Sequence, residues 1–128
     1  MSLLQIFGGQ RKSAKRKAQK LSVGEANAQV ASGAVLLVDV REPHEWQATG
    51  RPWGSYGIAL QAPDFEAQLL DLVSGDKSAP VAFSCKAGSR SAMAIKKAIA
   101  LGLSEVADVD GGFLAWEAAG LPIDKVST

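Results

Sequence analysis

Three short runs that read as strands, Val35 to Val38, Val81 to Phe83 and Val106 to Val109, are separated by stretches whose apolar residues recur at helical spacing. Val35 to Val38 is continuous and largely β-branched, so it has no polar face; a strand buried on both sides of a parallel sheet has that requirement. Parallel neighbours need crossover connections, and the intervening helices supply them. The pattern therefore predicts one open α/β domain with a mostly parallel sheet and helices on both faces. At 128 residues the chain is long enough for one such core and too short for two.

The connecting segments carry their own punctuation. Ser22 and Glu25 have capping-box spacing ahead of a helix predicted to reach about Val30 and to stop at Gly33. After the first strand come Asp39 and Arg41, and then Gly50, Pro52, Gly54 and Gly57, which predict a long turn. Ile58 to Leu60 is read as a second strand. Pro63 and Asp64 open a helix with Phe65, Leu69, Leu72 and Val73 on its apolar positions, ended by Gly75. From Ser91 to Leu101, the residues Ala94, Ile95, Ala98, Ile99 and Leu101 are read as one face, with Met93 turned the same way and Lys96 and Lys97 opposite; Gly102 suits the cap. Gly111 and Gly112 lead into a last helix with Phe113, Leu114 and Trp116, closed by Gly120 and Pro122. There is no internal repeat.

Charge divides the chain into residues 1–19 as a basic tail, 20–124 as the domain and 125–128 as a short carboxyl tail. Residues 1–20 hold six basic groups and no acid, while the remainder has 8 basic and 13 acidic groups. A mildly acidic body lacks the concentrated basic face that nucleic acid requires. Leu3, Leu4, Ile6 and Phe7 come before the basic run, the reverse of a secretory signal, and the expected location is the cytoplasm. The tail has two readings: a solvated leader, or a weak contact with an anionic membrane surface. No apolar run approaches the roughly 18 residues of a spanning helix.

One cysteine and one histidine exclude an internal disulfide and most zinc sites, so no metal or other cofactor is expected. Cys85 stands just beyond the strand Val81 to Phe83, where an open α/β sheet gathers its reactive groups. The loop Cys85, Lys86, Ala87, Gly88, Ser89 and Arg90 contains a glycine and precedes a helix, so its amides can turn toward the sulfur as an anion-binding nest. Helix amino termini and nearby cations lower a cysteine from about 8.5 to about 7 or below. Lys86 and Arg90 supply cations that also attract an anionic substrate. A thiol packed among aliphatic groups with the amides turned outward would remove this basis.

Three segments, taken in order, resemble a single-domain rhodanese: Leu36 to Pro43 with Glu45 and Trp46; the C-x-x-G-x-R loop from Cys85 to Arg90; and Asp110 to Phe113 with Trp116, Gly120, Leu121 and Pro122. The resemblance spans about residues 20 to 124. It implies a sulfurtransferase in which Cys85 takes a sulfane sulfur from a small anionic donor such as thiosulfate, holds it as a persulfide and passes it to cyanide or a thiol. It also implies that the backbone of Lys86 to Arg90 cradles the persulfide, that Arg90 and Lys86 hold the donor, and that Asp39 and Arg41 support the site wall. Where many relatives read Gly-His-Ile-Pro-Gly, this chain has Gly50-Arg51-Pro52-Trp53-Gly54.

Sulfane transfer needs only a thiolate and a stabilised perthiolate, which this chain offers without a histidine base. The competing readings are a sulfur-carrier or protein-binding module without turnover, and a phosphatase or arsenate reductase. Tyrosine phosphatases resemble C-x-x-x-x-x-R, whereas four residues separate Cys85 from Arg90, a tighter cradle. A second cysteine to resolve an arsenate adduct is missing. His44 is read as a surface residue, and Trp46 and Trp116 as packing residues.

Overall fold

The computed structural model describes residues 18–126. The expectations for the basic tail, including its membrane contact, lie almost wholly outside these residues. Five strands, β1 (Gln19–Leu21), β2 (Leu36–Asp39), β4 (Tyr56–Gly57), β5 (Val81–Ser84) and β6 (Val106–Val109), form a sheet in the order β1-β6-β5-β2-β4. Every pairing within it is parallel, with Leu36 opposite Val81 and Val81 opposite Val106. The strands β3 (Arg51–Pro52) and β7 (Ile123–Asp124) make a separate antiparallel pair.

Helices cover both faces, as the alternation of elements requires. On one face α3 (Phe65–Leu72) and α4 (Ser89–Ala100) bury Phe65, Leu69, Ala94, Ile95 and Ala98 against Val38, Val81 and Phe83. On the other, α1 (Val23–Ser32) and α5 (Gly112–Ala118) bring Ala26 and Trp116 onto Leu37, Ala82, Ala107 and Val109. Successive residues of β2 and β5 thus enter opposite cores, which is why those runs are apolar throughout. The first helix starts at the predicted capping box, with the Ser22 hydroxyl accepting from Glu25 N–H and Glu25 accepting from Ser22 N–H, and it ends on left-handed Gly33.

Several local expectations are corrected. The segment before the glycine-rich turn holds a helix, α2 (Pro43–Thr49), with Pro43 at its first position and a second capping box between Glu42 and Glu45. The second strand is Tyr56–Gly57 rather than Ile58 to Leu60; Ile58 and Leu60 donate their N–H groups to the carbonyls of Asp39 and Val40 as the chain leaves the ladder. Met93 is 51% exposed and Ile99 is also exposed, because the buried stripe of α4 runs through Ser91, Ala94, Ile95 and Ala98. That stripe begins at a polar residue, which an apolar-periodicity reading passes over. Among the described residues no helix is long and apolar enough to cross a membrane.

Candidate active site

Parallel strands deliver their carboxyl ends to one edge of the sheet, and Asp39, Ser84 and Val109 all finish there. Cys85 follows β5 directly, so its backbone position is fixed by the ladder. It is 1% exposed and touches the core around Val40 and Phe83. Its sulfur nonetheless has polar neighbours. The N–H of Gly88 donates to Sγ at 3.0 Å, and Ser91 Oγ lies 3.6 Å away in the first turn of α4. Gly88, at φ 134°, holds a backbone conformation that side-chain-bearing residues rarely adopt. The loop above the sulfur is open: Lys86, Ala87 and Ser89 are exposed.

The start of α5 braces this loop from behind. Phe113 N–H donates to the Cys85 carbonyl at 2.8 Å and Leu114 N–H to the Lys86 carbonyl at 3.1 Å. The orphan amides of one helix amino terminus are thereby satisfied by the carbonyls of the loop that begins another. Gly112 makes the approach possible, since a Cβ there would run into the carbonyl oxygens of Cys85 and Lys86.

Asp39 and Arg41 tie the end of β2 to the end of α2. Both are buried, and the Arg41 guanidinium meets the carboxylate with Nη2 at 2.8 Å and Nε at 3.1 Å from each oxygen. Its remaining donors reach Thr49 Oγ1 and the Gly50 carbonyl, and its face lies 4.2 Å from the Phe113 ring centre. A buried arginine with this many partners positions elements.

Arg90, a candidate for holding the donor's anionic group, has a carboxylate partner. Its Nη1 and Nη2 donate to the Glu45 carboxylate at 2.6 and 3.1 Å. The Arg90 hydrogen bond is the largest cause holding the Glu45 carboxyl at about 2, below its ordinary 4.5; burial acts in the opposite direction. Arg90 in turn is pushed up, chiefly by that hydrogen bond; burial acts the other way, and the charges of Glu45, Cys85 and Glu42 add smaller contributions. Lys86 lies beside a groove of about 190 Å³ whose lining includes His44, Glu45, Phe113 and Leu114.

A cysteine heading a strand-to-helix loop, backed by a glycine-led second helix, matches a known pattern at the level of whole sequences. The family model described as rhodanese-like domain matches residues 22–119. The chain belongs to the rhodanese-like domain family. It is 32% identical over 104 residues to thiosulfate sulfurtransferase GlpE of Vibrio cholerae, covering 81% of this chain and 92% of that one. The polysulfide-sulfur transferase of Wolinella succinogenes, a homodimer, superimposes with a TM-score of 0.69 at 30% identity, covering 91% of this chain and 85% of that one. A Rhodopseudomonas palustris protein of unknown function, described as a possible tyrosine phosphatase, gives a TM-score of 0.69 at 32% identity, with 88% and 89% covered.

Within this rhodanese-like domain the residues singled out from sequence fall into two sets. Cys85 and Gly88 meet at the sulfur, Lys86, Ala87 and Ser89 of the same loop are exposed, and Arg90 turns to Glu45. Arg51 and Trp53 sit instead with α2 and β7, where Arg51 Cζ lies 5.1 Å from the Trp46 ring centre and Trp53 N–H donates to the Pro122 carbonyl. Sequence reasoning missed Ser91 and Asp108, whose side chains meet at 2.7 Å across 17 positions. No local signal joins them. The tie of Glu45 to Arg90 was also missed, although the spacing of Glu42, Pro43 and Glu45 could have marked α2.

Proposed function

We propose that this rhodanese-like domain is a sulfurtransferase working through a persulfide on Cys85. The supporting observation is the Cys85 sulfur at the sheet edge, accepting the Gly88 amide under an exposed loop. In the first half-reaction the Cys85 thiolate attacks the sulfane sulfur of thiosulfate. A Cys85 S–S bond forms, the donor S–S bond breaks, and sulfite leaves with the bonding electron pair. In the second, cyanide or a thiolate takes the outer sulfur and Cys85 returns as thiolate. Neither step oxidises or reduces the pair overall, and no metal or other cofactor is called for.

Gly88 N–H stabilises negative charge on the sulfur, and exposed Lys86 supplies a cation on the loop. Arg90 holds the donor's anionic end in competition with Glu45. The partners are thus a thiosulfate-like donor and a cyanide or thiol acceptor, in the cytoplasm where a lone thiol stays reduced.

The phosphatase reading takes its support from the likeness to the Rhodopseudomonas palustris protein. Against it stands the four-residue spacing from Cys85 to Arg90, a tighter loop than the five-residue spacing of C-x-x-x-x-x-R. Intact-mass spectrometry after thiosulfate should show one added sulfur, lost on cyanide with release of thiocyanate and absent in Cys85→Ala. A persulfide that forms with negligible turnover would instead establish a carrier module, and no added sulfur would refute both.

A further inference from the structure

The cysteine's least expected neighbour is a polar pair from α4 and β6. Ser91 is completely buried in the first turn of α4. Its Oγ lies 3.6 Å from Cys85 Sγ, 3.0 Å from the Gly88 carbonyl and 2.7 Å from Asp108 Oδ1. A serine hydroxyl has one hydrogen to give, and the short contact with an ionised carboxylate takes it in preference to the neutral carbonyl. With that hydrogen turned to Asp108, Ser91 presents lone pairs to the sulfur. It can then accept from a thiol S–H but has nothing to donate to a thiolate. The Asp108 carboxylate behind it adds a like charge a few ångströms further on.

Resting on the reading of Cys85 as nucleophile, we propose that Asp108, acting through Ser91, holds the empty enzyme's Cys85 as the protonated thiol and so opposes the Gly88 amide. Ser91 touches the reacting sulfur; Asp108 is a positioning residue that sets which way the Ser91 hydroxyl points. The step is a reorientation of hydrogen bonds. When the thiol ionises, its proton leaves to solvent, and Ser91 gains a reason to turn its hydrogen from Asp108 to the sulfur.

Of the other charged groups around the sulfur among the described residues, all but Lys86 are engaged. Lys20 Nζ of β1 lies 3.3 Å from Asp108 Oδ2, but that lysine is 68% exposed and offsets the carboxylate only weakly. Arg90 of α4 is tied to Glu45 of α2, with Glu42 nearby, and Arg41 beyond β2 is tied to Asp39. Lys86 of the loop is exposed. Asp108 is therefore the charge whose removal reaches the sulfur by a direct hydrogen-bonded route.

The test is the rate of Cys85 alkylation by iodoacetamide across pH; with one cysteine in the chain the signal has a single source. Asp108→Asn should raise the rate at about pH 6.5 roughly tenfold and leave it unchanged above about pH 10, where both thiols are ionised. Asp108→Glu, which keeps the charge, should stay near wild type. In a Ser91→Ala background the Asp108→Asn gain should shrink to about threefold, because the hydrogen-bonded route is gone and only the through-space field remains. An Asp108→Asn rate at about pH 6.5 that is unchanged or lower overturns the proposal. So does an undiminished gain in the Ser91→Ala background. Should Asp108→Asn fail to fold, Ser91→Ala alone carries the test, with a rise of about threefold expected and no rise refuting it. The sulfurtransferase reading is judged separately by the sulfur gained from thiosulfate, so the two can fail independently.

Discussion

Replacing Glu45 by Gln separates the two demands placed on Arg90. The carboxylate accepts both Arg90 Nη donors, and the two side chains are 20% and 30% exposed. A carboxyl held at about 2 rather than 4.5 corresponds to about 3 kcal/mol at face value. Screening at this partly open edge reduces the expected contribution to about 1 kcal/mol. Gln retains the oxygen that accepts the Glu42 N–H, so the capping box of α2 survives, while the change removes the charge and the second acceptor of Arg90. Glu45→Gln should therefore lower the melting temperature by about 4 °C at neutral pH.

The sign of the pH dependence follows from the direction of the shift. A carboxylate depressed in the folded state contributes fully above its unfolded value and loses that contribution as it is protonated. The gap in melting temperature between wild type and Glu45→Gln should thus be constant above about 4.5 and close as pH falls toward about 2. At the same time Arg90 is left with an unneutralised charge near the sulfur. For a dianionic donor that is worth about 1.4 kcal/mol in a partly solvated site, a fall in the thiosulfate KM of up to about tenfold. Steady-state kinetics with thiosulfate and cyanide, beside thermal melts, measure both. A KM that stays put or rises while the fold remains intact would refute the claim that Glu45 competes with the donor for Arg90.

Arg90→Ala should raise the thiosulfate KM about tenfold while sulfur uptake from a neutral polysulfide is less affected; equal losses with the two donors would remove its anion-holding role. Gly112→Ala places a methyl group against the carbonyls of Cys85 and Lys86 at φ 57°, so it should cost about 2 kcal/mol or more in denaturant titration and lower turnover by displacing the loop. Arg41→Met strands the buried Asp39 carboxylate and should cost about 3–5 kcal/mol, whereas Asp39→Leu combined with Arg41→Met should recover most of that, as read from chemical unfolding.

Local signals carried much of this molecule. Strand runs buried on both faces show as unbroken apolar stretches, so the parallel α/β plan, the start of α1 at Ser22 and the placement of Cys85 at a strand end were legible. The short strands β1, β3 and β7 were not, because two or three residues hold no periodicity. Helix α2 was missed for a different reason: seven residues around His44, Trp46 and Gln47 lack an apolar stripe, and the helix is held by its caps and by Arg41 reaching Thr49 and Gly50. Met93 and Ile99 were assigned to the core because hydrophobicity was read as burial, while the buried position that opens α4 is a serine.

The linear chain alone settled which loop carries the thiol and that cations accompany it, since both follow from nearest neighbours along the backbone. Folding decided what each group is free to do. Arg90 is captured by a carboxylate 45 positions away, Ser91 turns toward Asp108 from a neighbouring strand, and the amino end of α5 props the loop from behind. Electrostatics and hydrogen bonding act over a few ångströms of space, and only the packing of the sheet edge determines which residues stand that close.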